Sequence, residues 1–381
     1  MANVESDKWS SRTYTSIDEP LDRENRHWTH YVLAGIKGLY QRIDEGSAAC
    51  QLQSRGFDIL VYSDVPPGSG LSSSSALLCA SALSIVHLFS LAEAFPPASL
   101  GEMCARAEQY VGSESGGMDQ AISFLALEGV AKHILFDPLR SQDVALPRGC
   151  SWVLVNSMTS HSVADGGGYN MRVSECRLAA ALLAKHLGYA SLLEPRSPDA
   201  KHPKIRLIEV VQRLAEDSHG SFDPDSDLSD QLKTLSDIAS TVLGQPSYTL
   251  SEMAALLEVS PCQVKANFVA ARLHDGAETL HYKLAQRARH VFEESSRVYQ
   301  FKSTLASGSS SDQVLTSLGQ LLSASHTSCR DLFECSCPEL DDTVAASLKA
   351  GALGSRLTGG IFFLSLPLSL SLSLSHSLSY F

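Results

Sequence analysis

The sequence lacks an excess of positive charge and an apolar leader at its start. Its formal net charge is −12, with 30 Lys and Arg residues against 42 Asp and Glu residues. An acidic surface repels phosphate backbones, so general binding to nucleic acids is disfavoured. The first residues contain no apolar segment of the kind that signal peptides carry. We therefore expect a cytoplasmic protein that binds neither nucleic acid nor a membrane.

Regular cysteine spacing is also missing. The nine cysteines are odd in number and scattered, whereas secreted disulfide frameworks are denser and usually even in count. The late group Cys329, Cys335 and Cys337 does not have the spacing of a zinc finger or ribbon, and no second pair lies nearby. We interpret these cysteines as buried or surface thiols.

The apolar content is sufficient for a large core. With 381 residues, of which 44% are hydrophobic, the length suggests two domains. Hydrophobic periodicity predicts helices and strands together, with a boundary near residues 140–152. Ser99 and Glu102 have the spacing of a helix capping box. The predicted strands are 57–65, 130–136 and 151–157, and the predicted helices are 29–43, 76–89, 98–111, 170–187, 204–216, 227–243, 276–299, 312–326 and 339–350.

A loop of small residues lies between the first predicted strand and an almost wholly apolar predicted helix. Its residues are Pro67, Gly68, Ser69, Gly70, Leu71, Ser72, Ser73, Ser74 and Ser75. Small residues let the backbone approach a ligand closely, and the positive end of the next helix lies at the same place. The pattern predicts a polyphosphate site, although the Gly-Lys-Ser/Thr of a Walker A loop is absent. The alternative is an ordinary Ser/Gly linker.

These residues resemble a known family. The loop is similar to the second motif of the GHMP kinases, which holds the phosphates of ATP. The segment 108–120, with its Gly-Met-Asp-Gln, resembles the sugar kinases of this superfamily. Later segments are typical of the N-acetylgalactosamine kinase branch, which is close to galactokinase, and these are 170–178, 328–331, 334–340 and 354–359.

The resemblance implies an ATP- and Mg²⁺-dependent kinase that phosphorylates the anomeric hydroxyl of N-acetylgalactosamine or galactose. Asp119 matches the catalytic aspartate that takes the hydroxyl proton, and Ser74 with Glu108 matches the magnesium ligands. Gly117, Asp119 and Tyr169 match sugar-binding positions. Two alternatives stay open, namely Asp119 as a helix N-cap and Tyr169 as a packed or solvent-facing tyrosine.

The resemblance also implies an α+β, two-domain GHMP kinase fold with mixed sheets and helices, a monomer whose active site lies between the domains. Residues 1–150 would form the N-terminal, ATP-phosphate-binding domain, incomplete at its start. Residues 151–359 would form the C-terminal domain, and 360–381 an aberrant tail. The alternating Leu and Ser of this tail is what a CT dinucleotide repeat encodes, so we interpret it as translated intron or a mis-spliced end. A membrane anchor is disfavoured because the apolar stretch is short and interrupted.

Nothing in the sequence matches the family's first motif, roughly Arg-Val-Asn-Leu-Ile-Gly-Glu-His, which supplies a transition-state arginine and the acidic residues that bind sugar hydroxyls. One alternative is therefore a non-catalytic relative that binds nucleotide or sugar, or an inactive splice fragment. Another is a DNA-binding regulator, because residues 249–268 superficially resemble a helix-turn-helix. Two packed helices around a short turn would produce the same pattern.

Overall fold

The structure is a computed structural model with more helix than strand. It describes residues 12–14, 16–22, 27–43, 58–67, 70–112, 116–136, 139–147, 149–157, 167–194, 205–223, 226–270, 273–308, 310–358 and 362–365. The helices are α1 (Trp28–Arg42), α2 (Ser73–Leu88), α3 (Pro97–Ala107), α4 (Met118–Leu125), α5 (Gly167–His186), α6 (Leu207–His219), α7 (Ser229–Val242), α8 (Leu250–Leu257), α9 (Pro261–Phe268), α10 (Leu284–Ala306), α11 (Ser311–Ser328) and α12 (Pro338–Lys349). The strands are β1 (Val130–Leu135), β2 (Arg140–Ala145), β3 (Val153–Asn156), β4 (Ser355–Thr358) and β5 (Phe362–Ser365).

The first helices pack closely because glycines face their neighbours. A Cβ placed on Gly35 of α1 would lie 2.4 Å from the carbonyl oxygen of Leu78 on α2. One on Gly38 would lie 2.8 Å from the Cβ of Ala107 on α3. The hydrophobic core of this region is formed by side chains between residues 21 and 111. The close approach of α1 fixes α3 and also α2, the helix that begins within the predicted phosphate loop.

A second and larger core lies in the later helices. Side chains of α5 to α10 form it, and α5 contributes an unbroken buried run over residues 178–184. The long helix α10 packs against α5, α7 and α11. The two cores involve separate stretches of sequence, and the predicted domain boundary near residues 140–152 stays a prediction.

Two small antiparallel sheets accompany the helices. Strands β1 and β2 form a hairpin in which Val130 pairs with Ala145. The other sheet has the order β3-β5-β4. Its central strand β5 lies within the segment that we assigned to an aberrant tail, and it pairs with both neighbours. The origin of that tail stays a prediction.

Two local predictions were wrong. Residues 58–65 are extended but lie in no strand, since none of the described residues forms a ladder with them. Their side chains still alternate, because Leu60 and Tyr62 are 86% and 88% exposed while their neighbours pack on the core. The capping box is absent as well. Helix α3 is capped by Pro96, and the Glu102 carboxylate instead accepts a hydrogen bond from Arg106.

The segment resembling a helix-turn-helix forms α8 and α9, two helices packed on each other. The basic side chain on α9, Lys265, is paired with the carboxylate of Glu278 at 2.8 Å. Among the described residues, every helix is too short or too polar to span a lipid bilayer.

Candidate active site

The predicted phosphate loop runs directly into the start of α2. Gly68 and Ser69 lie outside the described residues, whereas Pro67 and the residues from Gly70 to Ser75 are described. Gly70 and Ser72 both have positive φ angles, of 75° and 55°. A left-handed serine is uncommon and costs conformational energy, a feature that concentrates at ligand sites.

The helix that follows directs its N-terminal N–H groups toward this loop. The intrahelical ladder begins with Ala76, whose N–H donates to the carbonyl of Ser72 at 2.9 Å. The N–H groups just before it have no carbonyl partner within the helix, as at any helix start, and with the helix dipole they favour an anion. Ser73 and Ser74 are half-buried there, and Ser75 is buried. The local backbone therefore fits the predicted phosphate site.

Glu108 is a buried carboxylate between α3 and the following 3₁₀ turn Glu108–Val111. Its side chain is 5% exposed. The Cys104 thiol lies near it, and a hydrogen bond from the Cys104 thiol to Cys79, burial and the charges of Cys79 and Glu108 all raise the pKa of Cys104. The Cys104 thiol is therefore neutral at physiological pH and adds no charge at this position.

Asp119 lies in the first turn of α4, where the helix dipole favours a carboxylate. The helix is capped by the buried Gly117, whose φ is 84°. A Cβ there would lie 2.5 Å from the Cβ of Ala105, so the start of α4 rests directly on α3. The Asp119 side chain is half-buried and lies on the helix turn that this contact holds against α3.

Gln120 connects these parts, and the sequence analysis did not assign it a role. Its side-chain Nε2 donates to Ser75 Oγ at 3.1 Å and to Glu108 Oε2 at 2.9 Å. The amide thus joins the start of α2, the 3₁₀ turn and α4. Gln120 stands in the Gly-Met-Asp-Gln segment, so its position was the available signal, but only the folded chain shows its two partners.

Tyr169 lies on the later helices, in the first turn of α5, and is half-buried. The structure brings Ser75, Glu108 and α4 together through Gln120, whereas Tyr169 is attached to the second core. Its predicted contact with sugar stays a prediction.

Later segments of the resemblance meet at a buried ion network that sequence reasoning missed. Arg287 of α10 lies 2.7 Å from carboxylate oxygens of both Glu175 and Glu334. Arg172 adds a contact of 2.8 Å to Glu175. Burial by itself would raise the pKa of Glu334, but hydrogen bonds from Lys283 and Arg287 outweigh it and lower that pKa. The network ties α5 and α10 to the π turn Cys329–Phe333.

Oxygen donors at the first site fit a magnesium ion. Mg²⁺ prefers one or two protein oxygens and completes its shell with phosphate oxygens and water. Ser74 and Glu108 offer a hydroxyl and a carboxylate of this kind. In the described ranges, no three His, Cys, Asp or Glu side chains converge as a metal cluster. A cation here would therefore depend on the phosphates of a nucleotide.

The chain is similar to known proteins over most of its length. Residues 31–126 match the model of the GHMP kinases N terminal domain. The galactokinase of Dictyostelium discoideum is 38% identical over 360 residues, which are 90% of this chain and 65% of that protein. The galactokinase of Saccharomyces cerevisiae is 30% identical over 378 residues, 91% of this chain and 67% of that protein. The chain thus spans about two thirds of the length of these relatives.

A solved structure shows the fold. The galactokinase of Lactococcus lactis in complex with galactose matches 92% of this chain and 69% of its own, with a TM-score of 0.58 and 22% sequence identity. This likeness confirms the mixed helix-and-sheet fold expected from the sequence.

Proposed function

The chain belongs to the GHMP sugar kinases and is similar to the galactokinases, and from this premise we propose that it transfers the γ-phosphoryl group of ATP to the anomeric hydroxyl of a sugar. The observation that carries the proposal is the joining of the phosphate loop, Glu108 and the Asp119 helix through one buried amide. Phosphoryl transfer depends mainly on positioning and charge neutralisation, which such a fixed arrangement favours.

The nucleotide phosphates would bind at the loop from Pro67 to Ser75, to backbone N–H groups and serine hydroxyls. Gly68 and Ser69 belong to this assignment and lie outside the described residues. Ser74 and Glu108 would hold Mg²⁺, which when bound neutralises charge on the β- and γ-phosphates.

Asp119 would accept the proton from the oxygen of the anomeric hydroxyl as that oxygen attacks phosphorus. A carboxylate oxygen is a hydrogen-bond acceptor of the kind that such a proton transfer requires. Gly117, two residues before Asp119, would contribute to the sugar site through its backbone, because the space beside its Cα is filled by Ala105. Tyr169 would contribute a further sugar contact from α5.

Galactose is the first sugar to test, because the relatives are named galactokinases and the Lactococcus lactis structure contains galactose. N-acetylgalactosamine is the second, on the segments that resemble that branch. We further propose a monomer in the cytoplasm, a proposal that rests on the sequence and on the family resemblance.

A coupled assay of ADP release tests the proposal, with each sugar and with sugar omitted. We expect sugar-dependent turnover that Asp119→Ala lowers by about 10²–10⁴-fold, the usual range for a general base. Asp230→Ala is the matched control, because Asp230 is also the second residue of a helix and is exposed on α7. Its turnover should equal that of the unsubstituted chain.

A non-catalytic relative that binds nucleotide or sugar is the second candidate. Titration of ATP with Mg²⁺ into the folded protein, followed by calorimetry, separates the two. Nucleotide binding without sugar-dependent ADP release would favour the non-catalytic relative. Equal turnover of Asp119→Ala and the unsubstituted chain would refute the assignment of the base.

A further inference from the structure

The side chain of Gln120 has no assigned role in the proposed reaction, yet it joins the parts of the site. We infer that Gln120 is a positioning residue that orients the Glu108 carboxylate toward a nucleotide-bound divalent cation. The inference rests on the proposed function, because it concerns the same site. Its evidence is independent, since it comes from the hydrogen bonds and burial of one amide.

The orientation of the amide follows from the chemistry of its partners. Gln120 is fully buried, and both of its N–H groups are used, one by Ser75 Oγ and one by Glu108 Oε2. A flipped amide would place its oxygen against a carboxylate oxygen, and two acceptors cannot form a hydrogen bond. The amide therefore holds one carboxylate oxygen of Glu108 and so fixes the orientation of that carboxylate.

Packing alone does not explain this glutamine. Its carbonyl atom Oε1 is buried, and within the described part of the chain it has no hydrogen-bond partner. Burying a polar atom without a partner is unfavourable, and an apolar side chain of similar size would avoid that cost. A glutamine here is best explained by what its two donors hold in place.

The two donors span the elements that carry the proposed chemistry. Ser75 is the neighbour of Ser74 at the start of α2, and Glu108 begins the 3₁₀ turn. Gln120 follows Asp119 on α4, where successive side chains point about 100° apart around the helix. One side chain can therefore be buried in the cluster while the other is half-exposed. Positioning of the cation ligand and of the base thus depends on the same turn of α4.

Substitution of Gln120 should loosen the Glu108 carboxylate rather than remove it. Residues that orient metal ligands typically contribute about 10–100-fold to metal affinity or activity. We expect Gln120→Leu and Gln120→Met to weaken cation affinity by about this factor. The KM for sugar should stay unchanged, because the amide contacts no predicted sugar position.

The test uses Mn²⁺ with ATP as the probe on the full chain. Calorimetry gives the affinity of the metal-nucleotide complex, and the Mn²⁺ electron paramagnetic resonance signal gives the free ion. ADP release is then measured over a range of Mg²⁺ concentrations. In both Gln120 variants we expect weaker Mn²⁺ binding and turnover that high Mg²⁺ restores, which a purely structural defect would not show.

Gln231→Leu is the matched control. Gln231 is also buried, donates its amide to another residue, His219 at 2.9 Å, and has a buried amide oxygen without a partner among the described residues. It lies on α7 in the second core, so its substitution should leave the Mn²⁺ affinity unchanged. Ser75→Ala, which frees one of the two donors, should give a smaller shift in the same direction as the Gln120 variants. Because Ser75 also belongs to the proposed phosphate loop, the affinity of this variant for ATP without a metal is measured as well, and only a loss of Mn²⁺ affinity beyond the loss for ATP alone supports the inference.

The outcomes separate the two levels of the argument. If the unsubstituted chain binds no Mn²⁺-ATP, the proposed function fails, and this inference fails with it. If the unsubstituted chain binds it and the folded Gln120 and Ser75 variants bind it equally well, only the positioning role is overturned. The positioning role would also be overturned if Gln231→Leu lost affinity for Mn²⁺-ATP in proportion to its loss of melting temperature, as the Gln120 variants do.

Discussion

Substitution of Gly117 by alanine tests how the start of α4 is built. The φ of Gly117 is 84°, and an L-residue held in the left-handed region costs about 1–2 kcal/mol. The new Cβ would also lie 2.5 Å from the Cβ of Ala105, well inside the usual carbon–carbon contact of about 3.5–4.0 Å. Overpacking of this kind costs about 1–3 kcal/mol. The two terms together predict a destabilisation of about 2–5 kcal/mol.

A double-substitution cycle separates the two terms. Ala105→Gly removes the methyl group that Gly117→Ala would strike, and by itself costs about 1 kcal/mol as a glycine inside a helix. In the double variant the clash is relieved while the φ strain remains. We therefore expect a coupling free energy of about 1–3 kcal/mol between the two substitutions.

Urea denaturation of the four proteins measures the free energies of unfolding. A Gly117→Ala variant as stable as the unsubstituted chain would refute the reasoning, since both terms would be absent. Additive effects in the cycle would be consistent with φ strain at Gly117 but would show that contact with Ala105 does not cause the remaining destabilisation.

Two further predictions concern the later helices. Burial lowers the pKa of His290 to about 4, so between pH 6.5 and 4 the unfolded chain binds a proton that the folded chain does not, and the free energy of unfolding falls as the pH falls. Relative to His290→Gln, we expect the unsubstituted chain to lose about 3 kcal/mol of stability over this window. Parallel curves of stability against pH for the two proteins would contradict this expectation. Arg287→Met leaves the buried Glu175 carboxylate with Arg172 and the Lys283 N–H as partners, so we expect destabilisation near the lower end of the range for a broken buried pair, about 3 kcal/mol. Urea denaturation measures this loss of stability. The control is Arg289→Met, which removes a more exposed ion pair on the same helix. Equal losses of unfolding free energy in the two variants would contradict the argument from burial.

The sequence predicted the elements whose signals are local. Helix α2 and the loop before it were recognisable because glycines, serines and an apolar run follow one another along the chain. The strand expected over residues 57–65 was wrong because a strand requires a ladder partner, which composition does not reveal. The prediction that exposed and partly buried side chains alternate in that segment was correct.

The missed residues are those whose role depends on distant partners. Gln120 was read only as part of a motif, and its hydrogen bonds reach residues 45 and 12 positions away. Arg287 gave one signal, because it lies among Leu284, Ala288 and Val291 on the apolar face of α10. A charged residue on such a face indicates a buried ion pair, but its carboxylate partners lie on other segments.

The segments that resemble the N-acetylgalactosamine kinases have a structural role in this chain, which limits what they say about the sugar. Arg172 and Glu175 from one segment and Glu334 from another meet around Arg287. Such buried pairs hold helices in register, and each of these side chains is already engaged by another part of the protein. Their presence therefore indicates the shared fold, and under the proposed function the choice between galactose and N-acetylgalactosamine would come from groups near Asp119 that reach the sugar. The ADP-release assay with both sugars thus measures a property that these matching segments do not encode.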